Sequence, residues 1–225
     1  IRPQGAFVPL NDLVAEHAPN IQEFWDSHPG LHESISAFDG NYYYIPYLPD
    51  GKYGRAWFVR QDWLDALGLE QPQNVEEIEA TLIAFRDQDP NGNGEKDEIP
   101  YFARQWEELN RLLTLLDARS SGSDTYHDFV VNGDGQVVHP YAQEAYRDAL
   151  ANVARWYAEG LIDPEIFTRG SSSRDYLLSE NLGGMTHDWF ASTSGYNGKL
   201  AETIEGFNFI PFLPPASAGG VRMEE

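Results

Sequence analysis

The sequence predicts an α/β fold. Apolar residues recur every three or four positions in several segments, which indicates amphipathic helices that bury one face. Short runs of β-branched and aromatic residues stand between those segments, and turns rich in Gly, Pro, Asn and Asp separate the two kinds. Strands that alternate with helices along a chain are typical of the α/β class.

The N-terminal quarter of the chain predicts short elements. Residues 7–24 predict a short helix, then a proline and a second helix start. Residues 38–47, FDGNYYYIPY, hold an Asp-Gly turn followed by an aromatic run that predicts β structure. Residues 56–60, AWFVR, predict a buried strand, and DWLDALGL follows as a short helix that Gly68 can end.

The clearest helix covers residues 74–88. Its apolar positions lie three, four and three residues apart: Val75, Ile78, Leu82 and Phe85. Asn74 can cap the helix, and Glu77 stands three residues later, as in a capping box. Pro90 disfavours helical backbone at Asp89, so the helix has to end near residue 88. A short strand is predicted at 99–103.

The second half of the chain continues the alternation of helix and strand. Asn-Gly-Asp-Gly between two β-branched runs indicates a hairpin, and Gly160 ends a long amphipathic helix. The predicted elements are a helix at 105–117, a hairpin at 127–140, a long helix at 141–159, a strand at 182–187, a helix at 197–205 and a strand at 207–215. Three tryptophans on helical stripes are predicted to lie in the core: Trp25, Trp63 and Trp156.

Length and charge exclude several classes of function. The chain has 225 residues, enough for one large domain or two lobes. Its 36 acidic against 15 basic residues give a formal net charge of −21, which disfavours nucleic acid and anionic lipid as partners. It contains no cysteine, so disulfides, thiolate metal sites and cysteine nucleophiles are excluded. No apolar run is long enough to predict a membrane span.

The stretch DPNGNGEKDEIP, residues 89–100, has the spacing of a calcium loop. Calcium takes hard oxygen ligands, which an EF-hand loop supplies largely from alternate positions, with glycine at its sixth position. Gly94 occupies that sixth position here, whereas Pro100 replaces the bidentate glutamate expected at the twelfth. The predicted ligands are the side chains of Asp89, Asn91, Asn93, Asp97 and Glu98 and the main-chain carbonyl of Glu95.

The alternative for residues 89–100 is a solvated Asn-Gly turn after a helix. Asn-Gly pairs are common, but this spacing with three carboxylates is not, and it favours calcium. Pro100 blocks the second helix that a calcium sensor needs, so the ion is predicted to be structural. The similar NGDG at 132–135 has no ligand beyond Asp134 and is interpreted as a hairpin turn.

Aromatic and charged residues cluster where strands are predicted to begin or end. Ligands of open α/β sheets bind outside the carboxyl ends of strands, where aromatic rings can stack on sugars. The alternative is that about half of these rings only cover the core. The predicted ligand contacts are Trp189, Trp57, Trp106, Asp188, Arg55 and Tyr47, with Arg104 nearby.

Catalytic motifs are missing from the sequence, and no catalytic residue is predicted. It lacks the nucleophile elbow of α/β-hydrolases, the HExxH zinc motif and the phosphate-binding P-loop. Counting carboxylates does not exclude a glycosidase pair, for which Asp188 is the nearest candidate. The alternative to a binding protein is therefore a secreted, calcium-stabilised hydrolase acting on polysaccharide. A calcium-regulated adaptor is the second alternative.

Several segments in order resemble extracellular solute-binding proteins of bacterial ABC importers. They are GAFVPLNDLVAEHAPNI, AFDGNYYYIPY, the run from WFVRQDWLDALGL through the calcium loop, WYAEGLIDPEIF and GGMTHDWFAS. The resemblance is to the large sugar-binding lipoproteins, which include alginate-binding periplasmic proteins. It implies a two-lobed fold of the periplasmic-binding-protein type II kind, with mostly the second lobe present.

The resemblance also implies how the chain is divided. Residues 1–45 would be part of the first lobe and 46–54 a hinge crossing. Residues 55–207 would form the second α/β lobe with the calcium loop, and 208–225 the return hinge with more of the first lobe. Members of the family are much longer and begin with a lipoprotein signal. The sequence is therefore interpreted as a piece of a longer chain.

A function follows from the resemblance as an expectation. The protein would be a non-enzymatic subunit that captures an oligosaccharide in the cleft between its lobes, with one structural calcium. Trp189 matches a position that commonly stacks on sugar in such proteins. The implied partners are the membrane permease subunits of the importer. The implied location is extracellular, as a cell-surface lipoprotein, or periplasmic, and the protein is expected to be a monomer.

Overall fold

The computed structural model describes residues 5–28, 30–46, 54–118, 129–131 and 134–222. The chain divides into two compact units, Ile1–Asp50 and Gly51–Glu225. The second unit is mixed α/β, so the predicted fold class is confirmed. The predicted boundaries at 45/46, 54/55 and 207/208 remain predictions.

The first unit holds three short helices: α1 (Asn11–His17), α2 (Pro19–Asp26) and α3 (Leu31–Ile35). Pro19 occupies the first turn of α2, where its missing N–H costs nothing. Trp25 is buried as predicted and meets the ring of Tyr42 edge to face, with centroids 4.9 Å apart. The small core of this unit consists of Val14, Trp25, Leu31, Ile35 and Tyr42.

The β structure predicted for residues 38–47 is wrong over its described part, 38–46, which forms no strand. The main-chain carbonyl of Tyr42 instead accepts a hydrogen bond from Leu10 N at 2.9 Å, beside the start of α1. Ala37 N donates to the carbonyl of Asn41 at 2.8 Å and closes a turn. The β propensity of these aromatic residues produces no strand here, because their backbone forms hydrogen bonds to the start of α1 and within a turn instead of to a second strand.

The second unit is built on a four-stranded sheet. Its strands are β1 (Arg55–Arg60), β2 (Ile99–Tyr101), β5 (Gly183–Trp189) and β6 (Phe209–Phe212), in the order β2-β5-β1-β6. β1 runs antiparallel to β5 and β6, whereas β2 and β5 are parallel. The predicted hairpin is confirmed as a separate pair, β3 (Val130–Val131) and β4 (Val137–Val138).

The strand directions bring several predicted site residues to one edge of the sheet. Arg55, the first residue of β1, lies opposite Trp189, the last residue of β5. β2 runs parallel to β5, so its C-terminal end and the following Arg104 lie towards the same edge. This edge, defined by Arg55, Arg104, Asp188 and Trp189, is called the ligand edge below.

Helices cover the sheet of the second unit. They are α4 (Gln61–Leu67), α5 (Val75–Asp87), α6 (Asn110–Leu115), α7 (Glu144–Ala158), α8 (Ser173–Ser179), α9 (Phe190–Ser194) and α10 (Tyr196–Leu200), with 3-10 turns at Trp106–Leu109 and Pro140–Ala142. The cap of α5 is confirmed: Glu77 N donates to Asn74 Oδ1 at 2.9 Å. Gly68 ends α4 in the left-handed conformation, as predicted.

The core lies on both faces of the sheet. Successive side chains of β1 alternate between faces, so Trp57 and Val59 join one apolar cluster and Phe58 joins the other. Trp63 and Trp156 belong to the first cluster, and both are buried as predicted. Helices therefore fix both faces of the strands whose ends form the ligand edge.

Gly184 is expected to tolerate no side chain. A Cβ atom at this position would lie 2.6 Å from Phe85 Cδ2 and 2.9 Å from the carbonyl oxygen of Pro100. Gly184→Ala should lower the free energy of unfolding by about 1–3 kcal/mol, because the backbone oxygen cannot move aside freely. Chemical denaturation measures this change. Gly198→Ala is the matched control, since a Cβ atom there meets nothing within 4 Å. Equal stability of the two variants would contradict the prediction.

Candidate calcium loop and ligand edge

The predicted calcium loop, residues 89–98, connects α5 to β2. Three of its residues have left-handed backbone: Asp89 at φ 28°, Gly92 at φ 72° and Gly94 at φ 90°. Glycine adopts this conformation without steric cost, which explains the two glycines between the polar positions. The loop can therefore turn tightly and bring side chains from alternate positions together.

The polar side chains of the loop fold back onto its own main chain. Asn93 N and Gly94 N donate to the two carboxylate oxygens of Asp89, at 3.1 and 3.0 Å. Asn91 Oδ1 also accepts from Asn93 N at 3.0 Å, and Asn93 Oδ1 accepts from Glu95 N at 2.7 Å. The oxygens of three predicted ligands are thus held by the backbone of one loop.

Asp97 and Glu98 close the loop from its C-terminal side. The side-chain amides of Asn91 and Asn93 donate to Asp97 Oδ1 at 3.2 and 3.1 Å. Glu98 is 6% exposed, and its Oε1 accepts from Asn91 N at 3.3 Å. The structure therefore brings together the five predicted side chains, whereas Glu95 joins them through its main-chain N–H and not through the predicted carbonyl.

Glu98 carries an unsatisfied oxygen inside this cluster. Its Oε2 is buried and has no hydrogen-bond partner among the described residues. Burial raises the pKa of the Glu98 carboxyl, and the negative charges of Asp89 and Asp97 raise it further, against two backbone hydrogen bonds that lower it. A buried carboxylate beside two others is unfavourable without a compensating cation.

The donor set of the loop fits calcium, although the side chains are not arranged as a closed metal site. Within the described ranges, no three acidic or histidine side chains converge tightly enough to hold a metal by themselves. The amides of Asn91 and Asn93 donate to Asp97 instead, and each amide also carries a carbonyl oxygen of the kind that calcium binds.

At the ligand edge, Trp189 is held from two sides and remains 41% exposed. The guanidinium carbon of Arg55 lies 4.4 Å from the centre of the indole, a cation–π distance. Gly54 backs the ring so closely that a Cβ atom there would lie 3.0 Å from Trp189 Cζ3. The indole is therefore held in place and keeps exposed surface that a ligand can contact.

Asp188, a predicted ligand contact, is fully buried, and its carboxylate accepts hydrogen bonds from neighbouring groups of the protein. Its Oδ1 accepts from Trp189 N, and its Oδ2 accepts from Arg174 Nη1, both at 2.6 Å. Arg174 Nη1 also donates to the hydroxyls of Ser192 and Thr193 at 3.0 and 2.8 Å. This network joins α8, the end of β5 and α9, so it holds the main chain of Trp189 in place.

A second buried ion-pair network lies beside the first. Glu108 Oε1 lies 3.4 Å from Arg55 Nη1 and 3.2 Å from Arg104 Nη2. Arg104 N donates to the other oxygen of Glu108 at 3.0 Å, and Arg104 Nη2 lies 4.0 Å from Asp188 Oδ1. Arg55 is 6% exposed, so most of its guanidinium is committed to the indole and to Glu108.

Charged side chains of both signs meet at the ligand edge. Arg55 and Arg104 pair there with Glu108, and Arg174 pairs with Asp188. Burial raises the pKa of the nearby Tyr101 phenol, and the positive charge of Arg111 acts in the opposite direction.

The other predicted contacts have different outcomes. Trp57 is 4% exposed and packs against His187 and Phe212, with ring centroids 5.2 and 6.3 Å away, so it offers almost no surface for stacking. Trp106 is 50% exposed and lies 6.2 Å from the ring of Phe167. Tyr47 lies outside the described residues.

Sequence reasoning missed Glu108 and Arg174. Arg174 stands in SSSRDYLLS, where the predicted elements include no helix and where α8 forms. Glu108 belongs to the helix predicted at 105–117, but in the structure it lies in the 3-10 turn that precedes α6. Neither residue carries a local signal, because both acquire their role from partners on other elements.

Comparison with curated proteins identifies relatives of this chain, although no family model matches it. Over 173 residues, 73% of the chain and 32% of the relative, it is 33% identical to the fructooligosaccharide ABC transporter substrate-binding protein FusA of Streptococcus pneumoniae. The chain is homologous to sugar-binding proteins of ABC transporters. It is also 26% identical over 149 residues to lipoprotein LipO of Bacillus subtilis, covering 65% of the chain and 29% of LipO.

Solved structures of such solute-binding proteins agree with this relationship. Alginate-binding protein AlgQ2, solved without calcium ion, is 49% identical with a TM-score of 0.89. An EF-hand mutant of the pneumococcal FusA, solved with fructo-nystose, is 25% identical with a TM-score of 0.71. Each match covers 99% of this chain and 45% of the other, so the chain spans less than half of these solute-binding proteins.

The resemblance predicted from the sequence is therefore confirmed, and the sheet and helices of the second unit are consistent with one lobe of a solute-binding fold. The coverage is consistent with the interpretation as a piece of a longer chain. None of the helices in the described part of the chain has the length and apolar content that a bilayer span requires.

Proposed function

We propose that this protein is the substrate-binding subunit of an ABC importer and that it captures an oligosaccharide at the ligand edge. The observation that carries the proposal is the half-exposed Trp189, held against Arg55 at the end of a central strand. Sugar rings present apolar C–H faces that stack on indole and hydroxyls that accept hydrogen bonds from arginine. The homology to sugar-binding subunits of ABC transporters supports the same conclusion.

An acidic oligosaccharide is the proposed ligand. Two relatives indicate different ligand classes, since one is named for fructooligosaccharide and the other for alginate, and the alginate-binding protein has the higher identity, 49% against 33%. Arg104, whose side chain is 26% exposed, offers a guanidinium at the ligand edge to a carboxylate group on a sugar. Guanidinium binds carboxylate in a bidentate geometry, so a uronate is the preferred ligand over a neutral fructan.

A binding role without turnover is proposed over the hydrolase alternative. A glycosidase needs two carboxyl groups that flank the scissile bond. Asp188 and Glu108 are both buried in ion pairs with arginines, which gives them a structural role. Incubation with acidic and neutral glycan pools tests this role: release of products would overturn it, and thermal stabilisation without products would support it.

The proposal includes one structural calcium at residues 89–98. The side chains that would hold it are Asp89, Asn91, Asn93, Asp97 and Glu98, together with the main-chain carbonyl of Glu95. The unpartnered Oε2 of Glu98 and its closeness to Asp89 and Asp97 support a cation at this place. The related structures, one without calcium ion and one of an EF-hand mutant, support it further. The ion would supply positive charge that holds the loop closed.

The proposal also covers the partners, the oligomeric state and the location of the protein. The partners are the membrane permease subunits of the importer, and the protein works as a monomer outside the cytoplasmic membrane. The naming of one relative as a lipoprotein supports this location and a lipid anchor on the mature protein.

Trp189→Ala is expected to weaken ligand binding about 30-fold, because removal of a central aromatic contact typically costs about 2 kcal/mol. Trp189→Phe is the matched control, since it keeps a ring of similar orientation and should retain most of the affinity. Calorimetric titration of both variants with an oligouronate and with kestose measures the effect and the preference. Unchanged affinity of Trp189→Ala for every glycan that the unaltered protein binds would contradict the proposed site.

A further inference from the structure

Asn181 lies outside the calcium loop but contacts it. This residue stands between α8 and β5, and its main-chain carbonyl accepts a hydrogen bond from Asn91 Nδ2 at 3.3 Å. The next carbonyl, that of Leu182, accepts from Ile99 N at 2.8 Å. Two consecutive carbonyls therefore hold residues near the start and just after the end of the loop.

The bond to Asn181 decides which way the Asn91 amide faces. One N–H of this amide is directed at the Asn181 carbonyl and the other at Asp97 Oδ1. Asn91 Oδ1 is therefore directed towards the loop's own main chain, where it accepts a hydrogen bond from Asn93 N. An aspartate at position 91 would place a carboxylate oxygen against the carbonyl of Asn181, and two acceptors without a proton repel each other.

Asn93 provides the contrast within the same loop. Its amide donates only to Asp97 in the described contacts, and its Oδ1 accepts from Glu95 N. No main-chain carbonyl from another element fixes its orientation there. An aspartate at position 93 would lose the donation to Asp97, as an aspartate at position 91 would, but it would not meet the carbonyl of Asn181.

The backbone at Asn181 is itself in an uncommon conformation. Its φ is 61°, in the left-handed region that only glycine adopts without strain and that asparagine tolerates better than most residues. Its side-chain Oδ1 is buried and has no hydrogen-bond partner among the described residues. The direction of the Asn181 carbonyl depends on this φ, so the residue type affects the loop through the backbone.

We propose that Asn181 is a positioning residue of the calcium site. Its carbonyl orients the Asn91 amide so that Oδ1 is available to the ion, and it ties the loop to the start of β5. This role rests on the proposed calcium loop. It explains why the third position of the loop carries asparagine where an aspartate would add charge, since only the amide can donate to Asn181.

The first test is calorimetric calcium titration of the protein and of two variants with the same charge change. Asn93→Asp is expected to bind calcium at least as tightly as the unaltered protein, because affinity rises with ligand charge. Asn91→Asp is expected to bind roughly tenfold more weakly, as is typical when an orienting contact around a ligand is lost. Tighter binding by both variants would overturn the role of Asn181.

The second test separates the carbonyl of Asn181 from its side chain. Asn181→Gly and Asn181→Ala both remove Oδ1, but only glycine accepts the positive φ freely. We expect Asn181→Gly to keep the calcium affinity within about threefold, and Asn181→Ala to lose roughly tenfold. Equal losses in both variants would assign the effect to the side chain and overturn the carbonyl role.

One further outcome separates this inference from the calcium proposal. Circular dichroism in chelator shows whether each variant is folded before calcium is added. If the unaltered protein binds no calcium, the calcium loop itself is refuted, and the role of Asn181 falls with it. If the unaltered protein binds calcium and the two pairs of variants do not differ, only the role of Asn181 is refuted.

Discussion

Arg174→Met is expected to lower the free energy of unfolding by about 3–5 kcal/mol, because it leaves a fully buried carboxylate without its partner. Asp188 has no exposed surface, and Arg174 lies 2.6 Å from its Oδ2. The methionine fills similar volume but donates nothing to Asp188, Ser192 or Thr193. Denaturant-induced unfolding followed by fluorescence and circular dichroism measures the change.

Two controls test whether the loss of stability in Arg174→Met comes from the buried ion pair. Arg147→Met removes an arginine from an exposed pair with Asp148, where both side chains are more than two-thirds exposed. That change should alter stability by less than about 1 kcal/mol, as exposed pairs do. Adding Asp188→Asn to Arg174→Met should recover part of the loss, because the buried negative charge is then gone. Equal effects of Arg174→Met and Arg147→Met would rule out a structural role for the buried pair.

Removal of calcium by a chelator is expected to lower the melting temperature by about 5–10 °C. At a calcium concentration of about 100 times Kd, an ion that binds only the folded state adds about 2.7 kcal/mol. Each kcal/mol corresponds to about 2–4 °C for a chain of this size. Differential scanning calorimetry with excess calcium and with chelator measures the difference, and secondary structure at low temperature should remain, as expected of a structural ion.

Glu98→Gln is the matched variant for the calcium experiment. It should lose most of the calcium-dependent gain, because the ion loses a charged ligand. In chelator it should be more stable than the unaltered protein at neutral pH, since burial raises the pKa of the Glu98 carboxyl. A raised pKa stabilises the fold while the group is protonated, and this contribution is lost as the pH rises through that pKa. The difference between the two proteins in chelator should therefore grow from acidic to neutral pH. No response of the unaltered protein to chelator would contradict the structural calcium.

Features governed by neighbouring residues could be predicted from the sequence. Helix α5 was predicted to within a residue at each end, because the Asn74 cap, its apolar stripe and Pro90 all act locally. The loop at 89–98 was predicted with the positions that the structure brings together, since its spacing and glycines are contained in ten consecutive residues. A strand was predicted at 182–187 from its short apolar run, and β5 extends two residues further, to Trp189.

Features governed by distant partners could not be predicted in the same way. Trp57 and Trp189 both stand near predicted strand ends, yet Trp57 is the third residue of β1 and faces the same apolar cluster as Val59. A shift of the strand start by one residue reverses the face of every side chain, and the sequence places strand ends no better than that. The ion pairs of Glu108 and Arg174 depend on how the 3-10 turn at Trp106–Leu109 and α8 pack, which no local pattern specifies.

The order of strands in the sheet has a consequence for how the chain folds. The central strand β1 ends at Arg60, but its two neighbours begin at Gly183 and Phe209. Contacts between such distant segments form slowly, because the chain loses the conformational entropy of a long loop before the strand pairing stabilises it. Helix α5 and the loop after it depend on nearby residues and can form early. We therefore expect this part of the newly made chain to remain open, and accessible to chaperones or to export machinery, until β6 has emerged and completes the sheet.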